Sequence, residues 1–336
     1  MRALLTGASG FVGSAVARTL LAAGHEVRVV VRKGSALANI ADLAVERVEA
    51  DLLEPASLRG IMTGCDALFH VAADYRLWVP DREVMFRANV DGTRALMEEA
   101  LAAGVKRVVY TSSVATLGLV PGGVADEQTP VRYSDMIGPY KQSKFRAEEE
   151  VRRLISGGLP AVIVNPSTPV GPRDIKPTPT GRLVRDAARG RIPAYVDTGL
   201  NIVHVDDVAQ GHLLAYTHGR IGERYILGGD NLTLAAILTR IARIAGRRPP
   251  SLRLSRHWLW PVAAAAQAYA RVHKSATPLV TWDELRMASK YMFFDSAKAR
   301  RELGYHPRSA DDALADAVAW FLATEHARGA KPAAMT

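Results

Sequence analysis

Cysteine is almost absent from this chain: its 336 residues include one, Cys65. A lone thiol excludes an internal disulfide framework and any cysteine-rich metal site. Its neighbours Gly64 and Asp66 place it in a turn, as an incidental residue. Long apolar runs are missing too, and no stretch reaches the length of a membrane span. The opening Met1-Arg2-Ala3-Leu4-Leu5 has the look of a signal-peptide start, but Gly7, Gly10 and Gly13 break the apolar run and no clean cleavage site follows. A cytoplasmic protein is the expectation. No group of histidines and carboxylates has metal-ligand spacing, so no metal is expected. Acidic residues vanish between Asp230 and Asp283, where eight basic ones stand: Arg240, Arg243, Arg247, Arg248, Arg253, Arg256, Arg271 and Lys274. That segment nearly accounts for the net charge of +9. No nucleic-acid-binding module accompanies it, which leaves an anionic substrate or an anionic membrane surface as its partner.

What is present begins with an alternation of short apolar runs and helical spacings. Residues 2–5 lead into Thr6-Gly7-Ala8-Ser9-Gly10-Phe11-Val12-Gly13, and Ser14 to Ala23 has helical periodicity. A strand, a Gly-rich turn and a helix make a dinucleotide-binding unit: Gly7 permits the tight turn, Gly10 admits a pyrophosphate, and Gly13 lets helix pack on strand. The anion would sit on the helix N-terminus. A purely structural Gly-rich turn is the alternative. The second strand, Glu26 to Val31, ends in Arg32-Lys33-Gly34-Ser35. An acidic residue there would favour NAD, whereas Arg32 suits a 2′-phosphate, so NADP(H) is preferred and NAD(H) is the second choice. Asp51-Leu52 follows strand-like residues 47–50 as an adenine contact. Val71, Ala72 and Ala73 follow strand-like 67–69, with small side chains that admit a cofactor to the backbone. His70 reads as a strand-end packing residue. Residues 81–103 read as one long helix containing Asn89, and strand 107–110 ends in Thr111-Ser112-Ser113. Such alternation implies a parallel sheet with right-handed crossovers. Ligands then bind beyond the carboxyl ends of the strands, where Gly13, Arg32, Asp51, Ala72 and Ser113 all fall.

Gly138-Pro139 opens a helix carrying Tyr140-Lys141-Gln142-Ser143-Lys144. Tyr140 and Lys144 stand at i and i+4 on one face. A phenol titrates near ~10, and an adjacent ammonium lowers that value. On its own the pair is also a common feature of solvated helix faces. After strand 161–164, the loop Asn165 to Pro172 ends the first domain. A helix at about 180–190 follows, then a strand into Val203-His204-Val205-Asp206-Asp207-Val208 and a further helix, with Asp206 and Asp207 as its cap and first turn.

In this order and spacing, the Gly-rich turn, Ser113, Tyr140 and Lys144 resemble an extended short-chain dehydrogenase/reductase. Asn165 to Pro172, Val203 to Ala209 and Asp295 to Tyr305 carry the likeness across nearly the whole chain. Within that superfamily the chain is similar to the NAD-dependent epimerase/dehydratase and dihydroflavonol-reductase-like groups. Ala73 to Trp78, Asn165 to Asp174 and Met287 to Phe294 bring it nearest the hopanoid-associated sugar epimerases. The resemblance implies an α/β fold: a Rossmann-type doubly wound parallel sheet over 1–165, with a return segment at about 201–220. A smaller α/β substrate domain would comprise 166–200 and 221–328, followed by a flexible tail at 329–336. It implies that Ser113 binds the substrate oxygen, Tyr140 moves its proton, and Lys144 binds the nicotinamide ribose and tunes Tyr140. Ser9, Phe11, Val12, Asn89 and Thr111 join the cofactor surface, and backbone at Pro166, Ser167 and Thr168 lies against the nicotinamide. Ser112 is a supporting hydroxyl, and Tyr75 and Trp78 face the substrate mouth or a surface loop.

Two departures bear on the chemistry. Val114-Ala115 follows Ser113 where related dehydratases carry an Asp-Glu pair, so water elimination is not expected. Arg32 stands where the epimerases carry an acidic residue, which favours reduction of a carbonyl with exchangeable NADPH. The expected enzyme is therefore an NAD(P)-dependent oxidoreductase acting on a hydroxyl or carbonyl of a sugar-like or polyol group, free or lipid-linked, with hopanoid biosynthesis as a setting. A nucleotide-sugar epimerase with tightly bound NAD is the alternative, and a non-catalytic cofactor sensor a third reading. A homodimer is expected. The basic apolar segment at about 253–274 reads either as peripheral contact with the inner face of a membrane or as an apolar lid or core helix of the substrate domain.

Overall fold

The computed structural model describes residues 1–76, 78–79, 81–255, 260–261, 264, 282–288 and 290–329. Most of the basic segment 253–274 and nearly all of the tail 329–336 therefore lie outside the described residues. Seven parallel strands form the principal sheet: β1 (Arg2–Thr6), β2 (Glu26–Val31), β3 (Glu46–Glu49), β4 (Ala67–His70), β5 (Arg107–Thr111), β6 (Ala161–Pro166) and β10 (Arg224–Leu227). Their order across the sheet is β10-β6-β5-β4-β1-β2-β3. It reverses between β1 and β4, which is the crevice where ligands of such sheets bind.

The inner strands β1, β4, β5 and β6 are apolar on both faces because both faces are covered, whereas the edge strand β3 is largely exposed. Ala3 and Leu5 of β1, Val109 of β5 and Val162 and Val164 of β6 pack into one core, with Val16 and Leu20 of α1 (Phe11–Ala22) and Val208 of α6 (Val205–His218). Their alternates Leu4, Val108, Tyr110 and Ile163 pack into the other, with Leu96 and Met97 of α3 (Gly92–Ala102) and Ala147 and Val151 of α4 (Gly138–Ser156). The doubly wound sheet is as expected. A second sheet joins β7 (Thr168–Val170), β9 (Gly199–His204), β11 (Asp230–Thr233) and β13 (Tyr291–Met292), with β9 at its centre. Its core includes Val170, Val184, Ile202, Ile237, Leu314 and Phe321.

Two local expectations need correction. The long helix at 81–103 contains a π segment at Arg87–Asp91 between α2 (Arg82–Phe86) and α3. Asn89 sits in that segment and is fully engaged by neighbours, and such widened turns recur where a side chain must be aimed inward. At the start of α6 the cap is His204, whose Nδ1 accepts from the Asp206 amide at 3.0 Å. Asp206 instead pairs with Arg173, and Asp207 with Arg308 at 2.9 Å. Both carboxylates do occupy the first turn of α6, where the helix dipole favours them.

Candidate active site

Beyond the carboxyl end of β1 the chain turns sharply. Gly7 has φ +76°, and a Cβ there would lie 2.7 Å from the Ala72 amide nitrogen. A Cβ on Gly13 would lie 2.1 Å from the Gly7 carbonyl oxygen, so only glycine lets α1 meet the turn. Gly10 caps α1 without a side-chain acceptor, which leaves the first amides of the helix for an anion. Thr6 at the end of β1 ties the neighbouring loop down: its hydroxyl accepts from Ala72 N at 3.2 Å and meets His70 Nδ1 at 2.7 Å. His70 Nε2 meets Thr93 at 2.9 Å. Burial, and then the Lys144 charge, drive the His70 imidazole down to about 3, so it is a neutral packing residue as expected.

Around this turn lie polar groups that fit a dinucleotide. Arg32 and Lys33 are exposed just past β2. Asp51 ends the approach from β3, with Oδ1 accepting from Leu53 N at 2.9 Å. Asn39, which the sequence did not single out, donates to the Ser9 carbonyl at 3.2 Å. Its buried Oδ1 has no partner, and neither does the buried hydroxyl of Ser167 at the end of β6. Ser9, Phe11 and Val12 share the turn, Leu52 adjoins Asp51, and Val71, Ala72 and Ala73 leave β4 beside Gly7. Pro166 and Thr168 flank Ser167.

The chemistry gathers at the end of β5. Gly138, with φ +82°, and Pro139 in the first helical turn begin α4 and aim Tyr140 at Ser113. Ser113 lies close enough to the Tyr140 phenol to oppose the effect of burial on it. Ser113 Oγ also accepts from Ala115 N at 3.1 Å, which leaves the hydroxyl proton to point at an oxygen in the cleft. Lys144, 3% exposed, donates to Tyr110 OH at 3.1 Å and to the Thr111 carbonyl at 2.8 Å. Its Nζ also lies 4.7 Å from the Tyr110 ring centroid. An ammonium has three donors, so one remains for a ribose hydroxyl. Burial lowers Lys144 to about 8, against the opposing pull of Glu148. The expected lowering of the Tyr140 phenol does not show: burial lifts it above its ordinary value, with Ser113 pulling the other way. Two of the three Lys144 donors go to Tyr110 and Thr111, away from the phenol, and burial dominates.

Three predicted site residues turn elsewhere. Asn89 donates to Asp74 O at 2.9 Å and Ser143 Oγ at 3.0 Å, and accepts from Asp74 N at 2.7 Å, so its amide locks a loop to α4. Ser112 is 5% exposed and gives its hydroxyl to Glu148 at 2.5 Å, which removes it from the substrate face. Thr111 meets His212 Nε2 at 2.9 Å through its side chain, so its carbonyl is what faces Lys144. Tyr75 is exposed and Trp78 half-buried. The Tyr75 phenol is pushed up by burial and then by Asp174, which sets it beside the loop after β7.

Sequence reasoning passed over two residues here. Asp174 is buried and accepts from Thr178 N and Oγ1, both at 2.9 Å; burial raises it to about 6. Lys141, half-buried next to Tyr140, is lowered to about 8 by burial and then by Lys290. Neither bore a signal, since burial is a tertiary property. No group of metal-ligating residues exists among the described residues.

Comparison with known proteins agrees with this geometry. A sequence model of the NAD dependent epimerase/dehydratase family matches residues 3–228. A protein from Synechocystis sp. named "Putative dihydroflavonol 4-reductase" is 44% identical over 94% of this chain and 93% of its own. Sterol demethylase protein B from Methylococcus capsulatus is 37% identical over 96% and 98%. The crystal structure of gox2253 superposes with a TM-score of 0.84 at 56% identity, covering 97% of this chain and 98% of that one.

Proposed function

Because the chain belongs to the NAD-dependent epimerase/dehydratase family, as an NAD(P)-dependent enzyme of the extended short-chain dehydrogenase/reductase type, we propose that it interconverts a carbonyl and a hydroxyl on a sugar-like, polyol or polycyclic lipid substrate, with NADP(H) as the preferred cofactor. The observation that carries this reading is the convergence of Ser113, Tyr140 and Lys144 at the carboxyl end of β5, beside the Gly7–Gly13 turn. In reduction, the Ser113 hydroxyl holds the substrate carbonyl oxygen, and Tyr140 gives that oxygen its proton. Ser113, which opposes the burial-driven rise of the phenol, favours the phenolate that results, while Lys144 keeps one donor for the cofactor. The nicotinamide, when bound, supplies or takes the hydride. Gly7, Gly10 and Gly13 would hold the pyrophosphate, Lys144 the ribose and Ser167 the nicotinamide end. Arg32, exposed just past β2, would hold a 2′-phosphate.

Relatives named for a flavonoid reductase and a sterol-modifying protein support a ring-bearing, lipid-like substrate, of which a hopanoid-linked polyol is one form. Lys141 and Lys290 support an anionic group on it: burial and Lys290 both oppose the Lys141 charge, and an anion would relieve both. The family's name keeps the nucleotide-sugar epimerase as a second reading. A homodimer is the proposed assembly. Fluorescence titration separates the two readings. NADPH should bind at least tenfold tighter than NADH, and Arg32→Ala should remove the difference. Tightly retained, slowly exchanging NAD with interconversion of a nucleotide sugar would replace the reductase reading by the epimerase.

A further inference from the structure

Behind Ser113, on the side of β5 that α4 covers, lies a buried carboxylate with no place in the proton transfer. Glu148 stands one turn beyond Lys144 on α4 and is 4% exposed. Its Oε2 accepts from Ser112 Oγ at 2.5 Å, Thr116 Oγ1 at 2.9 Å and Asn165 Nδ2 at 3.3 Å. Its Oε1 accepts from Arg152 at 3.0 Å and Arg224 at 3.4 Å. Burial raises this carboxyl, yet Arg152, Ser112, Arg224 and Thr116 together hold it below the usual carboxylate range, so it is ionised. An ionised carboxylate accepts and never donates. Ser112 must therefore point its hydroxyl hydrogen inward and Asn165 one of its two amide hydrogens, while the one Thr116 proton lies between Glu148 and a second acceptor, which fixes the orientation of the set.

Two members of that set reach Ser113. Asn165 Nδ2 donates to the Ser113 carbonyl at 3.0 Å, and Thr116 Oγ1, sharing its one proton with Glu148, meets the same carbonyl at 2.8 Å. We propose that Glu148 is a positioning residue of the reaction: through Ser112, Thr116 and Asn165 it clamps the backbone of Ser113, so that the Ser113 hydroxyl meets Tyr140 and the substrate oxygen at one fixed angle. A plain structural ion pair with Arg152 and Arg224 would not need three further donors, two of them also bonded to the carbonyl of the reacting serine. The proposal rests on the reading of Ser113 and Tyr140 as the reacting pair.

The test compares Ser113→Ala, Glu148→Gln, their double variant and Thr116→Val in protein labelled with 3-fluorotyrosine, the Tyr140 fluorine signal being identified by its loss in Tyr140→Phe. With NADP+ bound, Ser113→Ala should move the Tyr140 signal. Glu148→Gln should move it the same way, and the double variant no further than Ser113→Ala alone. In NADPH-dependent reduction of a dihydroflavonol, Glu148→Gln should lower kcat 10- to 100-fold, leave KM and the NADPH Kd within twofold, and add nothing to the loss in Ser113→Ala. A Tyr140 signal unmoved by Glu148→Gln, or kcat losses that multiply in the double variant, would overturn the proposal in favour of a structural ion pair. Should Glu148→Gln fail to fold, Thr116→Val decides, because both arginine pairs survive in it: a three- to tenfold fall in kcat with a shifted signal is expected, and an unmoved signal overturns. A wild-type protein that reduces no carbonyl would remove the functional reading, while the fluorine signal still decides whether Glu148 holds Ser113.

Discussion

Tyr110→Phe isolates one contact on which the charge of Lys144 depends. The hydroxyl of Tyr110 is one of two oxygens that the buried ammonium meets, at 3.1 Å, the other being the Thr111 carbonyl. The ring itself remains in the variant, so the packing against His70, 5.8 Å between centroids, is kept. A hydrogen bond to a charged donor is worth about 1.5–3 kcal/mol, and one pH unit corresponds to about 1.4 kcal/mol. Removing a bond made to the charged form disfavours that form, so the Lys144 ammonium should titrate about one to two units lower. It starts at about 8, which puts the variant near pH 6–7. The groups facing it are neutral His70 and Tyr110, with Glu148 one turn away, and none of them titrates in this window; Lys141, at about 8 on the same helix, adds an alkaline step that Tyr110→Phe leaves in place. The assay is carbonyl reduction at saturating NADPH, followed by absorbance from pH 5.5 to 9.5. The alkaline fall in kcat should move from about pH 8 to about pH 6–7 in Tyr110→Phe, with the acid side unchanged. An identical profile in both proteins would refute the argument that the Lys144 charge, anchored by Tyr110, sustains turnover.

Other outcomes follow from the same geometry. Lys141→Met should raise KM for a carbonyl substrate bearing a carboxylate about ten- to a hundredfold, on the order of the loss of one charged hydrogen bond, and leave KM for its methyl ester unchanged; equal effects on both would remove Lys141 from substrate recognition. Acid should weaken the fold before the surface carboxylates titrate. His70 and His212 are held at about 3 and about 4, chiefly by burial, below the unfolded value near ~6.5. Below that value the unfolded chain takes up protons that the native protein refuses, so stability falls as pH drops. Between pH 7 and 5 the pair should cost about 4 kcal/mol, of which Asp174, raised to about 6 and hence protonated preferentially in the native state, returns about 1. Thermal unfolding should thus fall by several degrees across that interval, and a flat profile would contradict the neutral burial of both histidines. Asp174→Asn should raise the melting temperature at pH 8, where the buried charge is unfavourable, and leave it unchanged at pH 5; equal shifts at both would show that its bonds to Thr178, and not its charge, set its contribution.

The sequence by itself determined the frame of this protein. Short continuous apolar runs alternating with period-3.6 helices require a covered parallel sheet, and Gly7 and Gly13 stand where any side chain would collide with backbone. The helical pair Tyr140 and Lys144 and the strand-end Ser113 were legible for the same reason, since each depends on spacing within one element. Tertiary structure decided what each group is free to do. Ser112 and Ser113 are adjacent and chemically alike, and only the approach of Glu148 from α4 takes the first out of the cleft and leaves the second in it. Asn89 lies on a helix that faces the site, yet a π turn and the nearby Asp74 and Ser143 consume its amide. Lys144 was expected beside the Tyr140 phenol, but Tyr110 and Thr111, more than thirty residues away in the chain, hold its ammonium. Burial, which shifts Tyr140, Lys141, Lys144 and Asp174, is a sum over neighbours from every part of the chain, and no local pattern of residues encodes it.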